Sequence, residues 1–297
     1  MDIKQLRFLD ALAQEKHFGR AAAACFISQP TLSLRIRQLE DELGVPLIYR
    51  GNRFQGLTPE GEKVLAWARR VLMNYEGLYQ DVALIKGKLD GNLRLGIVPS
   101  ALPFAAQLTT PFLAKYRKVS VISTSHTADE ITQMLEGFML DMGIAYLSST
   151  LPENICSMEL YQESYVVLVP ADEYFPGRTE ISWREAATLP LCLLTKGMHN
   201  RWIIEDAFAQ SGCVVEPQLQ SNSIMTLYTH VRAGYWATIA PSFHAKLVGI
   251  PEGVRALKLT QPHVEHPVGL LWRDTDPLSP LIEAFRLVAE ERLTQAH

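Results

Sequence analysis

Near the start of the chain stand side chains suited to reading nucleic-acid edges: Ser28, Gln29, Pro30, Thr31, Ser33, Arg35 and Arg37. Arginine and glutamine can pair bidentately with guanine and adenine, and serine and threonine hydroxyls reach bases or phosphates. Such chemistry needs one helix to present the set together. Leu32, Ile36, Leu39 and Leu43 recur at spacings of four, three and four, the apolar stripe of an amphipathic helix with the polar set on the other side. Spacing alone leaves two readings: a groove-reading helix, or a surface helix with a solvated polar face.

The flanking residues supply the elements that would hold it. The small residues 21–24 favour a preceding helix that crosses closely. Ile27 marks the turn, Ser28 can cap the second helix and Pro30 suits its first turn. Gly44 can end it and Pro46 stops it from resuming. In two-helix DNA readers the N-terminal part of the second helix meets the bases. That places Gln29, Pro30, Thr31, Ser33 and Arg35 near bases and Arg37 nearer phosphate. Gly51-Asn52 is a hairpin signal. Arg50 and Arg53 flank it, a basic loop expected against phosphate or in the minor groove.

Thr58 caps and Pro59-Glu60 opens a long helix predicted to reach about Lys86. Along it Val64, Ala68, Val71, Tyr75, Leu78, Val82 and Ile85 recur at alternating spacings of four and three. This is a heptad seam, narrower than the stripe of a helix packed only on its own domain. It predicts pairing with a second copy. At ~1.5 Å per residue the helix spans about 40 Å, enough to hold two reading heads a turn of DNA or more apart.

Gly87 and Asp90-Gly91-Asn92 break the helix, and the pattern changes. Residues 93–98, 119–123 and 142–146 predict strands. They alternate with helices over 103–116 and from a capping box at Thr127 and Glu130, so a mostly parallel sheet is expected. Ligands of such sheets sit beyond the carboxyl ends of strands, at helix N-termini. Ser100 lies at such a turn, to hold a small anion or to cap a helix. Thr195, Lys196, His199 and Arg201 follow a predicted strand at 191–194. The three basic side chains point to an anionic ligand, with solvated loop charges as the alternative.

The stretch Ala21-Ala22, Ile27-Ser28-Gln29-Pro30-Thr31-Leu32-Ser33 and Ile36-Arg37-Gln38-Leu39-Glu40-Asp41-Glu42-Leu43-Gly44-Val45-Pro46-Leu47 resembles the LysR-type transcriptional regulators. The likeness continues through Arg50, Arg53, Leu57-Thr58 and Gly61. One departure is Leu34, where the family often has a basic residue. Gly234 to Pro241 resembles a family strand ending in proline, and residues 165–169 and 268–272 resemble its crossover strands. The resemblance implies an all-α winged helix-turn-helix domain over 1–58, a linker and dimerisation helix over 59–90 and an effector domain over 91–297. The effector domain would be an α/β periplasmic-binding-protein-like fold. Its subdomain I would span about 91–165 and 268–297, and its subdomain II about 166–267. The resemblance places a small effector between them at Ser100, Ala101, Thr195, His199, Asn222 and Phe243. It also implies double-stranded promoter DNA as partner, a homodimer commonly doubled to a tetramer, and RNA polymerase as a candidate further partner.

Bulk properties agree. The length of 297 residues suits a small domain plus a larger one. Charged residues at 20% and hydrophobic ones at 47% fit a soluble globular chain. No apolar run approaches the roughly 18 residues of a membrane span, and no signal-peptide pattern opens the chain, so a cytoplasmic location is expected. Net charge is −4, yet residues 1–70 carry 11 Lys/Arg against 8 Asp/Glu, +3, and the rest 17 against 24, −7. Basic charge is thus local to the predicted reader.

That distribution argues against a purely structural DNA-binding protein with no effector. An enzyme is disfavoured too. No phosphate loop, dinucleotide fingerprint or nucleophile elbow is present, and His263-x-x-His266 lacks a third ligand. No catalytic residue, metal or cofactor is expected. The four cysteines, Cys25, Cys156, Cys192 and Cys213, form no CxxC pair. Some members of the family sense peroxide through two effector-domain cysteines. Cys192 reads here as an inert buried thiol, with a redox sensor using Cys192 and Cys213 as the rival.

Overall fold

The computed structural model describes residues 1–49, 51, 54–147 and 151–296. The chain forms two compact units: Met1–Leu89 together with Gly137–Met139, and the rest of the described residues from Asp90 onward.

The first unit is helical: α1 (Ile3–Glu15), α2 (Phe18–Ala24), α3 (Gln29–Leu43) and α4 (Pro59–Ile85). Each start has a local cause. Asp2 and Gln5 form a capping box on α1, and the His17 Nδ1 accepts from the Gly19 and Arg20 amides to start α2. The Ser28 hydroxyl accepts from the Thr31 amide, and Gly44 ends α3 in the left-handed region at φ 72°. Leu32, Ile36 and Leu39 of α3 are fully buried among Leu9, Leu12 and Ala21. Leu43, the fourth member of the predicted stripe, is the last residue of α3 and is 38% exposed.

A short link ties α3 to α4. The buried Glu40 carboxylate accepts from the Leu47 and Ile48 amides at 2.7 and 3.2 Å. Thr58 donates to the Pro46 carbonyl and accepts from the Gly61 amide. Ile48 bridges Leu57 in antiparallel fashion, the base of the predicted wing. Gly61 is required, since a Cβ there would run into the Leu47 carbonyl. Within α4 the inward stripe is Leu65, Ala68 and Leu72.

The second unit begins with β1 (Asp90–Ile97), a 3-10 turn (Pro99–Ala101), α5 (Leu102–Lys115), β2 (Lys118–Ser125), α6 (Ala128–Glu136), β3 (Met142–Tyr146) and β4 (Ile155–Glu163). It continues with β5 (Tyr165–Pro170), β6 (Glu180–Ser182), α7 (Trp183–Ala186), β7 (Cys192–Leu194), α8 (His199–Gln210), β8 (Leu219–Ser221), α9 (Ile224–Arg232), β9 (Thr238–Pro241), α10 (Ser242–Val248) and β10 (Val254–Thr260). The chain closes with β11 (His266–Arg273) and α11 (Pro280–Ala296).

One sheet has the order β2-β1-β3-β11-β4 and another β6-β10-β5-β9, with β7 and β8 paired beside them. Only β1, β2 and β3 make the parallel core that was expected of the first sheet. β11 runs antiparallel to β3 and β4, and β5 runs antiparallel to β9 and β10. The reason lies in the path. The chain leaves the first sheet at Ser164, between β4 and β5, and returns through residues 261–265, between β10 and β11. Residues 165–169 and 268–272 therefore lie each inside one sheet rather than across the junction. The two sheets define two subdomains, 90–163 with 266–297 and 165–260.

Candidate DNA-reading face and effector cleft

Over the cap and first turns of α3, as far as Arg37, the exposed side chains are Ser28 at the cap, Gln29, Pro30, Thr31, Leu34 and Arg37. Residues three and four apart share a helix face, so Pro30, Leu34 and Arg37 form its ridge. Ser33 and Arg35 are half-buried at its edges. Arg35 is held back on its own unit: its Nη1 donates to Gln38 at 3.3 Å and lies 3.9 Å from an Asp2 carboxylate oxygen. Leu34, 56% exposed, was not among the predicted contacts. An outward leucine on this face can meet a thymine methyl group. Arg50 and Arg53 lie outside the described residues.

The expected seam on α4 divides in two. Ala68 is 1% exposed and Val64 packs against the same helical core, so neither stands outward. They face inward because the core of the helical unit reaches as far as Leu72. Beyond it the seam opens: Val71, Leu78, Val82 and Ile85 are 40, 61, 43 and 85% exposed, with Tyr75 half-exposed between them.

In the second unit two cavities adjoin between the subdomains. The smaller, about 10 Å³, is lined by Pro99, Ser100 and Tyr146 from one subdomain and Met198, His199 and Asn200 from the other. The larger, about 540 Å³, shares Thr127, Ala128, Tyr146 and His199 and adds Asp129 and Trp202. The strand ends produce this place. β1 runs into the 3-10 turn and α5, β2 into α6, and β7 into α8, so several helix N-termini converge where hydrogen-bond donors are free.

Polar groups are concentrated here. Tyr146 accepts from the Asn200 Nδ2 at 3.1 Å and from the Tyr165 hydroxyl at 3.4 Å. Burial pushes the Tyr146 hydroxyl up to about 12, so it stays protonated and able to donate. The His199 ring stacks on Tyr146, centroids 5.1 Å apart. Ser100 and Asn200 are 3% and 4% exposed; the Ser100 Oγ lies near the Tyr146 hydroxyl without making a hydrogen bond of normal geometry, and the Asn200 Oδ1 has no hydrogen-bond partner among the described residues. Such orphans are rare because each forfeits its hydration.

The basic side chains that suggested an anion do different work. Arg201 is 1% exposed, and its guanidinium is taken up by the Leu194 carbonyl, Gln220 and Glu205. Burial, then the nearby His266, lowers the His199 pKa, keeping the ring neutral. Lys196 is exposed and lines neither cavity. Donors for an oxyanion would therefore be hydroxyls and helix-terminal amides. Of the six predicted effector positions, Ser100 and His199 line the cleft. Ala101 is buried, Thr195 donates its amide to the Ser221 carbonyl and Asn222 is exposed, and none of the three lines either cavity. Phe243 packs on Phe104 and Tyr161 instead, in an aromatic cluster around Glu163.

Glu163 is fully buried at the end of β4, next to the first crossover. Burial pushes its carboxyl up to about 7, against amide donation from Phe243 at 3.3 Å and hydroxyl donation from Tyr161 at 3.2 Å. No sequence signal singled it out. The cysteines stand apart: none lines either cleft cavity, and burial pushes the Cys192 thiol up to about 11. Among the described residues no group of His, Cys, Asp and Glu could hold a metal ion, and no helix is long and apolar enough to cross a membrane.

Comparison with known proteins places both units. Residues 3–62 match the bacterial regulatory helix-turn-helix protein model of the lysR family, and residues 86–294 match the LysR substrate binding domain. A hydrogen peroxide-inducible genes activator of Haemophilus influenzae is 30% identical, over 97% of this chain and 95% of its own length. The DNA-binding transcriptional dual regulator OxyR of Escherichia coli is 28% identical, over 98% and 94%. A cysteine-to-aspartate variant of full-length OxyR from Pseudomonas aeruginosa superposes with TM-score 0.78 at 27% identity, covering 98% of this chain and 94% of that one.

Proposed function

The chain belongs to the LysR family of transcriptional regulators, with a helix-turn-helix DNA-binding domain followed by an effector-binding domain, and from that premise we propose how reading and sensing divide among its residues. The exposed ridge of α3 reads operator bases through Gln29, Thr31 and Leu34, with Ser33 and Arg35 at its edge and Arg37 toward phosphate. Arg50 and Arg53 extend the contact along the backbone. The open half of α4, through Val71, Leu78, Val82 and Ile85, takes a second copy, and such dimers pair into tetramers. RNA polymerase is the further partner of a regulator bound at a promoter. The protein works in the cytoplasm and catalyses no reaction.

The effector sits where the subdomains face each other, held by Ser100, Tyr146, His199 and Asn200, with its body beside Asp129 and Trp202. One observation carries this reading: an unpartnered buried polar atom from each subdomain, the Ser100 Oγ and the Asn200 Oδ1, lines the small cavity, which at about 10 Å³ admits one small polar group while the adjoining cavity of about 540 Å³ takes the rest of a ligand. A ligand supplying partners to both favours the closed arrangement and so shifts the populations of the paired readers. The relative from Haemophilus influenzae is named as an activator of hydrogen peroxide-inducible genes. Here no thiol lines the cleft, so the response runs by reversible binding rather than by cysteine oxidation.

The test combines DNA footprinting upstream of the protein's own gene with a thermal-shift screen of small oxyanions and carboxylates. A ligand specific to the folded state raises Tm. Ser100→Ala should weaken that ligand while leaving basal DNA affinity unchanged. Binding unaffected by Ser100→Ala, or lost on blocking the thiols, would refute the assignment. Leu78→Glu with Ile85→Glu should convert the dimer to monomer by analytical ultracentrifugation and cut operator affinity by at least about tenfold, since two linked readers bind with avidity.

A further inference from the structure

A third cavity, of about 290 Å³, lies in the same unit and shares no residue with the cleft. Its walls are mainly apolar: Tyr165 and Val166 of β5, Leu259 of β10, Trp183 of α7, and Val264. Trp183 is fully buried and anchored by donation from its indole nitrogen to the Pro262 carbonyl at 3.1 Å. Lys258 and His263 stand at the mouth. His263 pairs with Glu265 at 3.1 Å, whereas Lys258 has no ion pair among the described residues.

The position matters as much as the lining. Ser164 is the first crossover between the two sheets, and His263 and Val264 belong to the second. Ser164 and Ser242 hydroxyls bond to each other at 2.6 Å, so the floor beside the crossover is already satisfied. The chemistry left open is an apolar slot with one unpaired ammonium at its rim. We propose that this cavity is an allosteric site for a small monocarboxylate with an aromatic or branched apolar body. The body fills the slot against Val166, Leu259 and Val264, and the carboxylate pairs with Lys258. An occupant touches the second crossover at Val264 and the start of β5 at Val166, two residues after Ser164, so it resists relative movement of the two crossovers. Any preference for one subdomain arrangement then becomes a change in DNA affinity, and by linkage DNA changes the carboxylate's affinity equally.

The test is isothermal titration of the full-length protein with benzoate, phenylacetate and hexanoate, and with benzamide as the uncharged match. At least one carboxylate should bind saturably, with benzamide about tenfold weaker or more, since a charge-assisted contact is lost. Lys258→Ala should weaken the carboxylate by about tenfold, while this exposed substitution leaves Tm and basal DNA affinity unchanged. Val264→Trp should fill the slot and abolish binding, and His199→Ala, in the other cleft, should leave it intact. The proposal is overturned if no carboxylate binds, if Lys258→Ala has no effect, or if His199→Ala removes the signal. Each of those results leaves operator binding and the cleft assignment standing.

Discussion

The proposed reading face of α3 and the proposed effector cleft would solve recognition in opposite ways. On α3 the side chains stand in water, come from ten consecutive residues (28–37), and leave few bonds unmade. In the cleft Ser100 and Asn200 lie a hundred residues apart in sequence, are almost wholly buried, and carry unpartnered atoms. DNA is large and brings its own charged surface, so an exposed helix suffices. A small molecule has little surface to offer, so its site must enclose it and hold polar groups in deficit until it arrives. Substitutions on the reading face should therefore change affinity and spare stability, whereas substitutions around the cleft should change stability first.

Arg201→Ala tests that contrast with the largest expected effect. The guanidinium is buried and bonded to Leu194, Gln220 and Glu205. Removing it leaves those partners unsatisfied and should cost about 3 kcal/mol in chemical denaturation. A loss below about 0.5 kcal/mol would place Arg201 with the surface charges instead.

Next comes Glu163→Gln. The buried carboxyl has a folded-state pKa of about 7 against an ordinary 4.5. The folded state therefore holds the proton more tightly than the unfolded one. Its contribution is full below the unfolded value and is lost as pH rises through 7. The glutamine variant has no such loss, so the stability of variant over parent should grow by about 2 kcal/mol between pH 5 and pH 8. His199, His244 and His266 have lowered pKa values. They cost stability as pH falls below the ordinary histidine range, and they do so equally in both proteins. Thermal melts across that range measure the difference. A flat difference would mean that Glu163 ionises freely.

These two residues also mark where the sequence stopped being legible. Arg201 reads as a ligand cation because a basic residue after a strand often is one. Only the fold shows it turned inward to Leu194. Glu163 gives no local signal, since its environment is assembled from Phe104, Tyr161 and Phe243 on three separate elements. Tyr146 ends an entirely buried strand and reads as core. By contrast Ser28, Gly44 and Thr58 start or end helices through bonds to Thr31, Glu40 and Gly61, three or four positions away, so caps, helix ends and the two-helix unit follow from spacing. The heptad on α4 fails midway for a related reason: periodicity reports an apolar face but not which neighbour covers it. Val64 and Ala68 are covered by the unit itself, and Leu78 and Ile85 are not.

On the reading face Leu34→Ala should cost about 1 kcal/mol in operator affinity, confined to one thymine position, with Tm unchanged. Arg37→Ala should weaken all sequences alike and lower the salt slope by about one. Quantitative gel shifts on an operator and its single-base variants, at several salt concentrations, separate the two. An equal loss for Leu34→Ala on every variant would remove it from base reading.

An effect no larger than that of Leu34→Ala is expected for Arg35→Ala, and it says most about how the face is held before DNA arrives. A free arginine pairing with guanine is worth about 1–3 kcal/mol. Arg35 first has to leave Gln38 and Asp2, and Asp2 is also the cap of α1. The contact with DNA is thus an exchange of partners, and the net loss should fall near 1 kcal/mol. Asp2→Asn removes the competing charge and keeps a capping side chain. It should raise operator affinity in the parent and leave the Arg35→Ala variant unaffected, because the two substitutions act on one interaction. If Asp2→Asn strengthens binding equally with and without Arg35, the tether is not what restrains it.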